Sequence, residues 1–144
     1  MTAPVFLVRH AEAAGGGRDA DRPLTAAGRD AFSDLLGMLA PRLLVTRVLS
    51  SPFRRARETA EILASATGVE AEADDELASG RTGGRELLER AREAGPGTAL
   101  VGHNPEVAEA LTIAAGKPMP TSPGTVAALD LSGDAPRLLW FRSP

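Results

Sequence analysis

The sequence predicts an α/β fold: a single three-layer domain with a mainly parallel sheet, helices on both faces and an antiparallel edge strand. Three observations carry this. Short apolar runs alternate with stretches whose apolar residues recur at helical spacing, as in a sheet wound with crossover helices. The runs Val5 to Val8 and Ala99 to Val101 are apolar without alternation, which marks strands covered on both faces. Near the end, "GTVAALDL" and "RLLWFR" flank the turn-forming stretch Ser132 to Pro136, which predicts an antiparallel pair closing one edge. At 144 residues the chain has the length of one such domain, taken as 1–144, and can bury a core without disulfides or metal.

The elements follow in order. After the first strand, Ala13 to Asp21 is rich in Gly, Ala and Asp and reads as a mobile loop around Gly15, Gly16 and Gly17. No Lys-Ser or Lys-Thr follows those glycines, so they do not form a phosphate-cradling loop of that type. Thr25 is a helix cap, Ala31, Leu35 and Leu39 form an apolar stripe behind it, and Pro41 stops the helix. A second strand, Arg47 to Ser50, leads to Ser51 as cap and Pro52 at the first helical position. Phe53, Ala56, Ala60 and Leu63 make the buried stripe of that helix, and Gly68 ends it. A short strand over Val69 to Ala73 and a loop from Asp74 to Gly84 precede a helix from Arg85 to Ala94. After the strand Ala99 to Val101, Asn104 caps a helix with Pro105 at its first position, and Val107, Leu111 and Ala114 share one face up to Gly116.

Composition narrows the function. No stretch approaches the ~20 apolar residues of a membrane span, no leader-like segment is evident, and a cytoplasmic protein is expected. The absence of cysteine removes disulfides, thiolate nucleophiles and cysteine metal sites. A net charge of -3 and 3% aromatic residues offer neither a basic field nor stacking platforms, so nucleic acid is not an expected partner, and neither is a membrane. Fifteen arginines against one lysine, Lys117, carry no function by themselves.

The chemistry lies at the strand ends. The chain has two histidines, His10 and His103, and each stands just past the carboxyl end of a predicted buried strand. In parallel α/β sheets ligands bind outside those ends, so Arg9 and His10, Ser51 to Arg55, and His103 converge on one crevice. The two predicted helix starts at Pro52 and Pro105 aim backbone N–H groups at it, which suits an anion. Arginine forks suit phosphate oxygens, and phosphate is the leading ligand. Arg54 with Glu58 and Arg57 with Glu61 are spaced for surface ion pairs, which leaves Arg55 as the arginine aimed at the ligand. A histidine among such donors is a nucleophile toward phosphorus.

Four boxes, Arg9-His10, Arg22-Pro23-Leu24-Thr25-Ala26-Ala27-Gly28, Ser51-Pro52-Phe53-Arg54-Arg55-Ala56 with Thr59, and Gly102-His103-Asn104, occur in the order of the histidine phosphatase superfamily. The chain most resembles its small SixA-type phosphohistidine phosphatases, with the phosphoglycerate mutase-like fold. That resemblance implies His10 as the nucleophile that is transiently phosphorylated, with Arg9, Arg55 and His103 clamping the phosphoryl oxygens. Arg22 and Asn104 are further candidates for phosphate contact. It implies a phosphatase that uses no metal and no cofactor, with phosphohistidine in a protein as substrate and a small phosphate ester as the alternative. The residue after the Arg-His pair is Ala11, where the family usually has glycine. For the proton donor, Glu76 leads, followed by Glu12 and Asp19; phosphoimidazole is a good leaving group and needs a donor least. Between Thr59 and His103 only about forty residues are available, too few for a large covering insertion. The same residues allow two other classes: a metal-dependent hydrolase on His10, Glu12, His103 and Glu106, disfavoured by the nearby arginines, and a catalytically inactive phosphate-binding module.

Overall fold

The apolar runs Val5 to Val8 and Ala99 to Val101 become strands, and all the strands meet in one sheet. The computed structural model describes residues 3–144. It contains β1 (Val5–Arg9), α1 (Ala26–Leu39), β2 (Arg47–Ser50), α2 (Arg54–Thr67), β3 (Ala71–Ala73), α3 (Gly84–Ala94), β4 (Thr98–Gly102), α4 (Glu106–Ala115), β5 (Val126–Asp130) and β6 (Arg137–Arg142). The strand order is β3-β2-β4-β1-β5-β6. The first four strands in that order run parallel to one another, β5 lies antiparallel on β1, and β6 lies antiparallel on β5. This is the predicted architecture, with the antiparallel pair at the predicted edge.

Alternation along β1 divides the interior in two. Phe6 and Val8 face α1 and α2, against Phe32, Leu35, Leu36, Ala56, Ala60 and Leu63. Val5 and Leu7 face α3 and α4, against Leu87, Leu88, Val107 and Leu111. Val5 to Val8 are all within 2% of full burial, each worth roughly 1.5–3 kcal/mol as removed apolar surface.

Several boundaries differ from the sequence expectation, each for a local reason. α2 starts at Arg54, two residues beyond Pro52, because the Ser51 hydroxyl accepts the Phe53 N–H at 3.1 Å and turns the chain first. α4 starts at Glu106, with Pro105 as cap; Asn104 still serves the helix end, accepting the Ala108 N–H at 3.2 Å through Oδ1. α3 takes in Gly84, and β3 is shorter than Val69 to Ala73. The loop before α3 contains a 3-10 turn, Asp75–Leu77, held by Asp74 accepting from the Glu76 N–H. On α1 the buried stripe runs through Phe32, and Ala31 is exposed. Phe53 is half-buried outside α2, not part of its buried stripe.

The hairpin-like segment after β1 is fixed to α1. Thr25 caps α1 by accepting the Gly28 N–H at 2.9 Å, and the Thr25 N–H donates to the Glu12 carbonyl at 3.0 Å. Gly28 then lies so close that a Cβ would stand 2.5 Å from the Glu12 oxygen. Alanine is favoured over glycine in a helix by ~1 kcal/mol, but overpacking against fixed backbone costs ~1–3 kcal/mol. The clash should win: Gly28→Ala is expected to lower the melting temperature by about 3–8 °C in a thermal denaturation scan. An unchanged or higher value would mean that β1 and α1 do not hold each other this tightly.

Candidate active site

The site starts from backbone geometry. His10 follows β1, its N–H donates to the Gly102 carbonyl at 3.0 Å, and its carbonyl accepts the Gly124 N–H at 2.9 Å. Its Nδ1 lies 2.7 Å from the Ala11 carbonyl oxygen. A carbonyl only accepts, so Nδ1 carries the proton and Nε2 presents a lone pair. Arg55 in the first turn of α2 donates to that Nε2 from Nε at 3.3 Å. The same guanidinium donates from Nη1 to the Asp19 carbonyl at 2.7 Å, and its Nη2 lies 3.3 Å from the Asp19 carboxylate. It also rests over the Phe53 ring, 5.1 Å from its centre.

His103 follows β4, and its ring centre lies 5.2 Å from that of His10. Its Nε2 is 2.8 Å from the Ser51 hydroxyl, and Phe53 meets its ring edge-on at 5.2 Å. Arg9 is tied by Nη1 to the Thr121 carbonyl at 2.9 Å. Two buried side-chain polar atoms lack a partner in the protein among the described residues: Arg9 Nε and His103 Nδ1. Buried polar atoms are nearly always paired, so these two orphans on strand-end residues are open to the polar atoms of a ligand.

Electrostatics keeps both rings neutral. Burial lowers His10 to about 4, with Arg55, Arg9 and Arg22 adding to the fall against the pull of the Ala11 carbonyl. Burial lowers His103 to about 3, assisted by His10, Arg55 and Arg9 against the opposing pull of Asp19. Removal from water is the larger cause in both rings, and the guanidiniums add to it.

The remaining predicted residues divide. Arg22 joins the cluster through Asp19, donating Nη1 to its carboxylate at 3.1 Å and Nε to the Ala14 carbonyl at 2.7 Å. Asn104 spends its amide on the scaffold, donating to the Thr121 carbonyl at 3.0 Å and accepting from Ala108. Glu76 is exposed and faces Arg90 at 3.7 Å, beside a hollow lined by Leu77, Thr82 and Glu86 that contains no other predicted site residue. Glu12 accepts from the Thr25 hydroxyl at 2.8 Å. Glu106 accepts weakly from the Gly80 N–H at 3.5 Å, and burial pushes its carboxyl up. The carboxylates of the metal hydrolase alternative are thus engaged apart from each other, and among the described residues no group of three or more His, Asp or Glu is placed to hold a metal ion.

Arg54 pairs with Glu58 at 3.0 Å as predicted, but Arg57 donates to the Pro52 carbonyl and not to Glu61. Ser51, expected as a helix cap at the crevice, also holds His103. Thr59, named in the third box without a role, is the other support. Fully buried, it accepts the Ala11 N–H at 3.0 Å and donates to the Arg55 carbonyl at 2.8 Å, tying the His10 segment to the Arg55 segment. A threonine inside an apolar helical stripe was the available signal.

Two neutral imidazoles in contact, ringed by guanidiniums at the carboxyl edge of a parallel sheet, form a site suited to a phosphoryl group. The chain belongs to the histidine phosphatase superfamily, branch 1, whose family model matches residues 5–106, and by that membership it is a phosphatase. Its fold is close to that of the protein histidine phosphatase SixA solved with tungstate: 26% identity, TM-score 0.84, covering 98% of this chain and 97% of that one. SixA from Agrobacterium tumefaciens is 28% identical at TM-score 0.84, covering 100% and 99%. SixA from Nakamurella multipartitia is 28% identical at TM-score 0.75, covering 100% and 97%. Among curated proteins, none matches the sequence. No helix among the described residues is long and apolar enough to cross a membrane.

The neutral rings carry a stability signature. Above about pH 7 they are uncharged folded or unfolded, so pH has no effect through them. From 6.5 downward the unfolded chain binds protons that the folded rings refuse until about 4 and about 3, so stability falls with falling pH. Each ring contributes ~1.4 kcal/mol per pH unit inside that window. Denaturant melts between pH 7.5 and 5.5, above the carboxylate range, should show the loss, and His103→Gln should flatten the slope. A flat curve for the unmodified protein would mean that the rings are not buried neutral.

Proposed function

We propose that the protein hydrolyses phosphohistidine in proteins, through a covalent phosphohistidine on its own His10 and without a metal ion. The observation that carries this is the His10 ring, with Nδ1–H fixed on the Ala11 carbonyl and the Nε2 lone pair turned toward Arg55. The likeness to SixA structures, one of them holding the tetrahedral oxyanion tungstate, supports the same reading.

In the first step Nε2 attacks phosphorus, the bond from phosphorus to the substrate nitrogen breaks, and the leaving imidazole takes a proton from water. In the second step a water attacks the phosphorus on His10, its surplus proton passes to solvent, and inorganic phosphate leaves with His10 neutral again. Arg55, Arg9 and His103 surround His10 and would stabilise the charge spread over the equatorial oxygens, which is most of what this chemistry asks of a protein. Arg22 extends that set through its contact near Arg55; Asn104 supports it by fixing the Thr121 carbonyl that holds Arg9.

The substrate class follows from the donors. Glu76 lies against Arg90, Glu12 against Thr25, and Asp19 is held below the usual carboxylate range, first by its hydrogen bond from Arg22 and then by Arg55. None of the three carboxylates is hydrogen-bonded to His10, whose ring meets the Ala11 carbonyl and Arg55. A phosphoimidazole, which leaves with little help, fits that arrangement better than an alkyl phosphate.

Turnover of a phosphohistidine protein should exceed that of small phosphate esters assayed beside it, and should persist after exhaustive chelation. Brief exposure to substrate and quenching without acid should leave label on residue 10. His10→Ala should lower kcat by at least about a thousandfold, and Arg55→Ala by about a hundredfold or more. Activity surviving His10→Ala, with label elsewhere, would overturn the mechanism; faster turnover of small esters would overturn the substrate class.

A further inference from the structure

The segment between Ala14 and Arg22 is an excursion with a clamped base. Ala13 bridges Leu24, and the Ala14 N–H donates to the Pro23 carbonyl at 2.8 Å. Leu24 in turn donates its N–H to Glu58 of α2 at 2.8 Å. Beyond that base Gly15 to Arg18 are exposed, with Gly16 and Gly17 at φ 84° and 70°, a conformation that glycine adopts without strain. The tip is a 3-10 turn, Asp19–Asp21, laid over the start of α2.

What the tip does there is take up the donors of the site. The Asp19 carboxylate lies 3.3 Å from Arg55 Nη2 with one oxygen and 3.1 Å from Arg22 Nη1 with the other. Its carbonyl holds Arg55 Nη1 at 2.7 Å, while Arg55 Nε is on His10. Each of the three nitrogens of Arg55 is therefore engaged, which commits three of its five N–H donors, and a phosphoryl group that takes the Nη2 donor now on the Asp19 carboxylate must displace it. The exchange is accessible: the Asp19 side chain is 60% exposed, whereas that of Arg55 is 6% exposed.

We propose that Asp19 is a built-in competitor for the phosphoryl site, its carboxylate standing on Arg55 and Arg22 until a phosphoryl group displaces it. This rests on the phosphatase reading above and adds to it a residue that sets which anions bind. A carboxylate offers one negative charge and two oxygens; a phosphoryl group offers up to two charges and three oxygens in tetrahedral array. Monoanions gain nothing over Asp19, and phosphoryl dianions do. The exchange also draws Arg55 toward the phosphoryl oxygens and off the His10 lone pair, which is the one that must attack.

The test is calorimetric titration of inorganic phosphate into the unmodified protein, Asp19→Asn and Asp21→Asn at one ionic strength. Asp21 is the matched control, since its carboxylate meets Arg18 at 3.7 Å and touches no site guanidinium. Asp19→Asn should bind phosphate about three- to twentyfold tighter, the range set by loss of two partly exposed ion pairs, while Asp21→Asn should stay within about twofold. Equal or weaker binding by Asp19→Asn, or equal tightening by both variants, overturns the competition and leaves the phosphatase reading standing. If the unmodified protein and Asp19→Asn both fail to bind phosphate, the proposed phosphoryl site at Arg55 and His10 falls and this inference falls with it.

Discussion

The structure depends on the register of three parallel strands. Arg9 stands opposite Gly102, and Ser50 stands opposite Val101. The ladder runs one residue further on each side, through the His10 N–H to the Gly102 carbonyl and the Ser51 N–H to the Val101 carbonyl, both at 3.0 Å. His10, Ser51 and His103 therefore leave the sheet side by side, and no long-range loop is needed to bring the imidazoles together. A slip of one residue would send the apolar set of β1 to the wrong covering helices. The burial of Val5 to Val8 fixes the register, and the register places the chemistry.

Packing and charge then work in opposite directions. Burial makes the imidazoles poor bases, and that suits the nucleophile role proposed for His10, which requires an unprotonated ring beside guanidiniums. The guanidiniums need acceptors, which they find in backbone carbonyls at Thr121, Ala14 and Asp19 and in the Asp19 carboxylate. Behind them Glu58 performs a quieter task. Its burial opposes its charge, yet the Leu24 N–H, Arg54 and Arg29 outweigh that and hold it lowered. With Oε1 2.8 Å from Leu24 N and 3.0 Å from Arg29, it fastens the base of the loop to α2, the helix that carries Arg55.

The sheet and the paired histidines were legible because apolar runs and strand ends are local features. Leu and Val without alternation at Val5 to Val8 read as buried strand, and a polar pair beyond it read as a site. Arg55 was legible by elimination, since its neighbours Arg54 and Arg57 had carboxylates at helical spacing. The elimination held for Arg54 and rested on the wrong partner for Arg57, whose guanidinium prefers the Pro52 carbonyl freed by the late start of α2. Ala31 against Phe32 was decided by which side of α1 meets the sheet, a tertiary matter. Asp19 was the least legible. Nothing in "GGGRDAD" says that the loop folds back over α2, and only that return brings its carboxylate to Arg55 and Arg22.

Trp140 on β6 has its own consequence. It is the one tryptophan of a chain that has no tyrosine, and its ring sits 6.2 Å from that of Phe6 in the middle of β1. Ultraviolet emission from this protein thus originates at the seam between the antiparallel edge and the central strand. An intrinsic optical signal will follow the unzipping of that edge during unfolding and will be nearly blind to events around the two imidazoles, for which a reporter has to be introduced elsewhere.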